Sequence, residues 1–188
     1  MESNSEMLDK KELLQRISTG DEKAFREFYY LYYQKLVSFA RWYINSIELA
    51  EDVVSDVFFN LWKARNSIVG IVHFDTYLYS AVKNGCFNVL KSSYYKRVTL
   101  GVDELEMEAY IEPDGSDSKL MYGELNAAVT AAINNLPERC KLIFKLVKED
   151  NLKYKEIAEI LDISPRTVET QVAIALKKIE QELYPFLK

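Results

Sequence analysis

Between Lys153 and Ile179 the chain reads KYKEIAEILDISPRTVETQVAIALKKI, and five side chains in it could do chemistry on a polyanion. Arg166, Thr167, Thr170, Gln171 and Lys177 are residue types that bond to phosphate oxygens and base edges. Glu169 adds an acceptor that suits cytosine if it is turned inward, and Gln171 can make a paired contact with adenine. Bond-breaking chemistry is not legible anywhere. The sequence offers no nucleophile–base pair, no metal-ligand spacing and no glycine loop to cradle a phosphate, so neither an enzyme nor a cofactor is expected.

Those side chains act together only if a helix holds them on one side. Ile157, Ala158 and Leu161 mark the apolar face of a first helix, and Asp162-Ile163 makes a turn. Ser164 is a good N-cap and Pro165 a good first helical residue, which fixes the start of a second helix. Val168, Val172, Ala175 and Ile179 form its buried stripe, leaving the polar set exposed. Small Ala158 beside the turn permits the close crossing of a helix-turn-helix. An ordinary αα corner with a solvated face would show the same pattern. Even a helix-turn-helix does not say which sort of DNA-binding protein carries it.

The rest of the chain supplies context. Its 188 residues are enough for one domain or two small ones, and 48% are apolar. Only 6 Gly and 4 Pro interrupt it, which favours helices. No apolar run reaches the ~18 residues of a membrane span, and MESNSEMLDKKELL lacks the apolar core of a secretory signal. A cytoplasmic protein with no direct membrane insertion is expected. The net charge of −5 is concentrated in the middle of the chain. Residues 1–97 carry 13 Lys/Arg against 12 Asp/Glu, residues 98–123 carry 1 against 7, and residues 124–188 carry 10 against 10. The middle segment, VTLGVDELEMEAYIEPDGSDSKLMYG, has no sustained helical period and contains the turn cluster Pro113–Asp117. It is expected to be a flexible acidic linker between an all-α domain over 1–97 and a second over 124–188. Cys86 and Cys140 match no metal or disulfide spacing and are expected as buried reduced thiols. His73, the only histidine, is expected in a loop.

Ahead of the linker the helical period is strong. Leu8, Leu13, Leu14 and Ile17 suggest a helix ended by Gly20. Asp21 can cap the next, with Phe25, Phe28, Tyr29, Tyr32, Leu36, Phe39, Ala40 and Tyr43 as its stripe. A third helix follows Ser46, with an apolar stripe from Ala50 to Trp62 and a polar face of Glu51, Asp52, Ser55, Asp56 and Asn60. A fourth is expected roughly from Phe74 to Lys91. Beyond the linker, Glu124–Asn135 and a segment opened by Pro137 and stopped at Asn151 complete the set.

Four segments now fall into one order. AEDVVSDVFFNLWK, FDTYLYSAVKNGCFNVLKS, LPERCKLIFKLVKEDNLKYKEIAEILDIS and RTVETQVAIALKKI, with an acidic linker in the middle, resemble the extracytoplasmic-function class of sigma-70 factors. The resemblance runs from about Gly20 to Leu183, its halves corresponding to sigma regions 2 and 4. It implies a factor that binds core RNA polymerase, grips the −35 duplex with the second domain and traps melted −10 bases with the first. It implies docking of the helix Ala50–Lys63, through Asp52, Ser55, Asp56 and Asn60, on the β′ clamp helices, and a contact with the β flap. For the −10 strand it implies the loop 66–73 and the following helix, where aromatic faces and cations suit single strands. Tyr77, Asn84, Phe87, Asn88, Lys91, Lys96 and Arg97 are the expected contacts there, with Tyr79 and Tyr94 alongside; Tyr77 and Phe87 suit a core as well. An anti-sigma factor is the further partner implied.

The chain departs from the family in places. Ser80 stands where many members have arginine, and Asp162 where many have glycine. Glu169, Gln171 and Ala173 replace frequent basic or aromatic residues, so the promoter sequence does not transfer and intrinsic DNA affinity is expected to be weak. Two other functions fit the residues. A two-domain helix-turn-helix regulator that replaces no sigma factor should bind palindromic duplexes alone. A helical adaptor should bind no DNA at all.

Overall fold

Helices follow one another through the whole described chain, and among the described residues no strand occurs. The computed structural model describes residues 2–100 and 123–184, with side chains over 10–92 and 126–184. The chain divides into two compact units, Met1–Met107 and Glu108–Lys188. The expected linker lies outside the described residues apart from its ends.

The first unit comprises α1 (Glu2–Ser18), α2 (Glu22–Arg41), α3 (Ile47–Lys63), a short 3-10 helix (Arg65–Gly70) and α4 (Phe74–Leu100). The expected boundaries hold where capping chemistry is explicit. Gly20 takes φ +90 and ends the turn after α1. The Asp21 carboxylate accepts from the Lys23 and Ala24 N–H groups, and Ser46 Oγ accepts from Leu49 N–H. The hydrogen bond from Ala24 and the Arg16 guanidinium hold the Asp21 carboxyl below its ordinary range. The fourth helix is longer than expected, running through Leu100 rather than closing near Lys91, and it enters the segment expected as linker. No glycine or proline stands between Lys91 and Leu100 to stop it.

Aromatic rings join the helices of this unit. Phe28, on α2 and 1% exposed, lies 5.5 Å from the Phe58 ring on α3 and 5.6 Å from Phe74 on α4. Leu36, Val54, Leu61, Ile68 and Leu78 are among the fully or nearly fully buried side chains of the same core. Gly85 of α4 lets α3 approach closely: a Cβ there would stand 2.7 Å from Val53 Cγ1. Tyr32 OH and Lys10 Nζ both reach the Asp75 carboxylate, so α2 and α1 are tied to the start of α4.

The second unit comprises α5 (Gly123–Asn134), α6 (Glu138–Lys148), α7 (Tyr154–Leu161) and α8 (Pro165–Leu183). Leu136, Cys140, Phe144 and Ala175 form a buried cluster, with Ile133 and Ile179 packed on it. Pro137 stands at the cap of α6, one residue before the position expected for it. Asn151 takes φ 57, the left-handed stop expected after α6. The Cys140 thiol donates to Gln171 O at 3.2 Å. Both cysteines are free and buried, and burial raises both thiol pKa values, that of Cys86 to about 11.

Candidate nucleic-acid interface

The turn between α7 and α8 is built from local chemistry. The Glu156 carboxylate accepts from Lys153 N–H at 2.8 Å and closes the start of α7. At its end Asp162 adopts φ 54 and ψ 48, the left-handed conformation. This is the position where the resemblance led one to expect glycine. Asp is among the few L-residues that enter this region readily, so the departure leaves the turn intact. Ile163 N–H then donates to Ala158 O at 3.0 Å, and Ser164 Oγ accepts from Thr167 N–H at 3.0 Å to start α8.

In α7 the buried residues are Ile157, Ala158 and Ile160, and the expected Leu161 is only half-buried. On α8 the expected stripe holds: Val168, Val172 and Ala175 are buried and Ile179 partly so. The opposite side of α8 presents Arg166, Thr170, Ala173 and Lys177, all exposed, at spacings of three and four residues. Glu169 is exposed beside them. Tyr154, Pro165, Arg166, Glu169, Thr170 and Ala173 line a shallow concavity where the first residue of α7 meets the first half of α8.

Two of the sequence-selected residues are engaged locally. Thr167 Oγ1 shares a 2.8 Å hydrogen bond with Ser164 Oγ and is half-buried within the cap. Thr170 Oγ1 donates to Arg166 O at 2.8 Å, which spends its only donor and leaves an acceptor and a methyl outward. Gln171 is half-buried and sits about 100° around the helix from Thr170. Tyr154 and Ala173 were not in the sequence-derived set. Tyr154 leads α7 rather than α8, and Ala173, noted only as a departure from the family, has no hydrogen-bonding atom to place it among the contacts.

In the first unit Asp52, Ser55, Asp56 and Asn60 are all exposed along one side of α3. Among them stands Phe59, 56% exposed, with Lys63 Nζ 4.1 Å from its ring centroid. Helical periodicity assigns an aromatic to the core by default, which is why Phe59 did not stand out. Beside this face Tyr29 and Tyr33 stack at 4.7 Å against Phe58. Burial, with Tyr29 and Glu51 close by, holds the Tyr33 hydroxyl above its ordinary pKa.

On α4, Tyr77, Asn84, Asn88 and Lys91 are exposed and follow one another along a single face. Phe87, half exposed, leans edge-on against Tyr43 at 5.5 Å, and Tyr43 in turn meets exposed Trp42 at 5.0 Å. Trp42, Tyr43 and Phe87 thus form an aromatic surface across the end of α2 and the flank of α4. Tyr79 is corrected: it is 1% exposed, packed edge-on to Phe39 at 5.0 Å, and has no face for a base. The side chains of Tyr94, Lys96 and Arg97 lie outside the described residues. His73 is exposed between the 3-10 helix and α4, as expected.

Comparison with known proteins matches both units. The family model of sigma-70 region 2 matches residues 28–94, and that of sigma-70 region 4 matches residues 126–179. Regions 2 and 4 matched in this order in one chain are those of a sigma-70-type initiation factor. The chain is 30% identical over 190 residues to the ECF RNA polymerase sigma-E factor of Escherichia coli strain K12, covering 98% of this chain and 99% of the relative. It is 27% identical over 189 residues to the sigma-E factor of Haemophilus influenzae, covering 97% and 100%. Among solved structures, the sigma factor RpoE of Bartonella quintana, in complex with the anti-sigma factor NepR, aligns with a TM-score of 0.56. That alignment has 19% identity and covers 86% of this chain and 98% of that one. CnrH, in complex with the cytosolic domain of CnrY, aligns at 0.52 with 18% identity, covering 93% and 97%.

The chain belongs to the extracytoplasmic-function sigma factors of the sigma-70 family. It is an RNA polymerase sigma factor that directs transcription initiation, and not an enzyme. Among the described residues no helix is long and apolar enough to cross a membrane.

Proposed function

We propose that this sigma factor docks on the β′ clamp helices of core polymerase through α3 and reads the −35 duplex through α8. Asp52 and Asp56 lie one turn apart with Ser55, Phe59 and Asn60 among them, a negative surface with an aromatic centre. A basic helix with an apolar seam complements it in charge and shape. The −10 strand stacks on Tyr77 and Phe87, with Asn84 and Asn88 reaching base edges and Lys91, Lys96 and Arg97 the backbone. On α8, Arg166 and Lys177 meet phosphates while Glu169 and Thr170 face the bases; Thr167 and Gln171 stand at the edge of that surface. The β flap is the further polymerase contact, made by the second domain, residues 124–188. An anti-sigma factor in the cytoplasm restrains the protein by covering these surfaces, a reading supported by the complex of the Bartonella quintana relative with an anti-sigma factor.

The observation that carries this reading is the uncovered side of α8, where Arg166, Thr170, Ala173 and Lys177 are all exposed opposite a buried stripe. The test is run-off transcription with core polymerase and genomic promoter fragments. Transcripts should appear only when the factor is added, and should vanish when −35 or −10 sequences are scrambled. Transcripts that ignore the −35 element would refute the role given to α8.

A further inference from the structure

Among the candidate surfaces, the concavity at the start of α8 carries a statement about which bases are read, and that statement rests on α8 being the −35 reader. Its lining is chemically uneven. Arg166 is a cation, Glu169 an anion, Ala173 a bare methyl, and Tyr154 closes one wall. Among the described residues neither Arg166 nor Glu169 belongs to an ion pair; Arg166, three residues earlier on α8, is the cation beside the carboxylate and leaves its oxygens open to a donor.

A carboxylate on a DNA-facing surface is repelled by phosphates, and an ionised carboxylate can only accept hydrogen bonds. In the major groove, guanine offers two acceptors and thymine one acceptor with a methyl group. Only cytosine N4 and adenine N6 donate, and adenine places its N7 acceptor beside that donor. Cytosine is therefore the base that gains from Glu169, while guanine and thymine meet an unpaired charge.

Ala173 is one helical turn beyond Glu169, about 6 Å further along the axis. Bases on one strand rise about 3.4 Å per step, so the two side chains address positions one or two steps apart. A methyl carrying no polar atom favours the thymine C5-methyl. Thr170, whose donor is spent on Arg166 O, adds no competing donor between them.

We propose that Glu169 and Ala173 are specificity-determining residues that read a cytosine and a nearby thymine in the −35 element. The recognition helix would then select through an acceptor and an apolar contact. Glu169 is exposed, so its substitution changes the surface and leaves the helix–helix packing alone.

The experiment is transcription by reconstituted holoenzyme on a library with every −35 position varied, comparing wild type with Glu169→Gln, Glu169→Arg and Ala173→Gly. Wild type should prefer cytosine at one position by roughly tenfold or more. Glu169→Gln should move that preference to adenine, and Glu169→Arg to guanine, while Ala173→Gly should weaken a thymine preference one or two steps away. A base profile unchanged by all three variants, with only overall output scaled, overturns this inference and leaves the α8 assignment standing. A wild-type holoenzyme indifferent to the whole −35 library overturns both.

Discussion

Phe59 offers the sharpest test of the polymerase-docking surface. The residue is 56% exposed on α3 among Asp52, Ser55 and Asp56, with the Lys63 ammonium 4.1 Å from its ring centroid. A phenylalanine offers on the order of 200 Å² of surface, so about 110 Å² remains to be covered by a partner. At about 25 cal/mol per Å², full coverage gives about 2.8 kcal/mol. Truncation to alanine keeps Cβ and lets the surface relax, so about 2 kcal/mol is expected, or roughly 30-fold in Kd. The folded unit should not notice, because the core of α3 is Ala50, Val53, Val54, Phe58 and Leu61. Charge reversal at Asp52→Lys with Asp56→Lys should abolish binding altogether, and raising salt should weaken wild type more than Phe59→Ala weakens it at fixed salt. The assay is titration of labelled core polymerase at two ionic strengths, with thermal melts of each variant. Binding of Phe59→Ala within about twofold of wild type, with an unchanged melt, would remove Phe59 from the interface.

The other predictions concern the second unit and the buried thiol. Lys177→Ala should weaken all promoters alike and lower the slope of log K against log salt by about 1, whereas Gln171→Ala should leave the −35 base profile unchanged; a loss confined to one base would place Gln171 among the readers. Ser164→Ala removes the cap of α8 and should cost about 1 kcal/mol, lowering the melting temperature of that unit by about 4–8 °C in a scanning experiment. Cys86, raised to about 11 by burial, should react with a thiolate-specific reagent at pH 8 far more slowly than Cys86 in denaturant. Because its folded pKa lies above the unfolded value of about 8.5, the stability it contributes is full below that pH and is lost as pH rises through about 11. The melting temperature of wild type should therefore fall over this range more than that of Cys86→Ala.

Much of the fold was legible because its boundaries are set by single residues with one dominant chemistry. Gly20 at φ +90, Asp21 and Ser46 as N-caps, and the Ser164–Pro165 start of α8 each stand where the sequence assigns them. The end of α4 was not legible. A helix without a stop signal ends where packing stops supporting it, and composition over 92–100 says nothing of packing. Gly85 was equally silent. In sequence it reads as a weak point in a helix, yet in the fold its missing Cβ is the space that Val53 occupies.

The recognition surface divides in the same way. Sequence reasoning ranks residues by what their side chains can bond to, so it favoured Thr167, Thr170 and Gln171 and passed over Ala173. The fold ranks them by direction and by prior commitments. Thr167 belongs to the cap, Thr170 gives its proton to Arg166 O, and Gln171 is half-buried away from that line, its backbone carbonyl receiving the Cys140 thiol. On the side opposite the buried stripe what remains is sparse: Arg166 and Lys177 at the ends, the Glu169 carboxylate and the Ala173 methyl, with Lys178 exposed on the flank. So few cations would neutralise few phosphates, and if α8 is the −35 reader its electrostatic contribution should be small and the helix alone should hold duplex DNA weakly. On the proposed reading such a factor should gain most of its hold on a promoter through polymerase, and a few base-edge contacts of about 1–3 kcal/mol each should then decide between promoters. Specificity set against a weak background needs no strong grip.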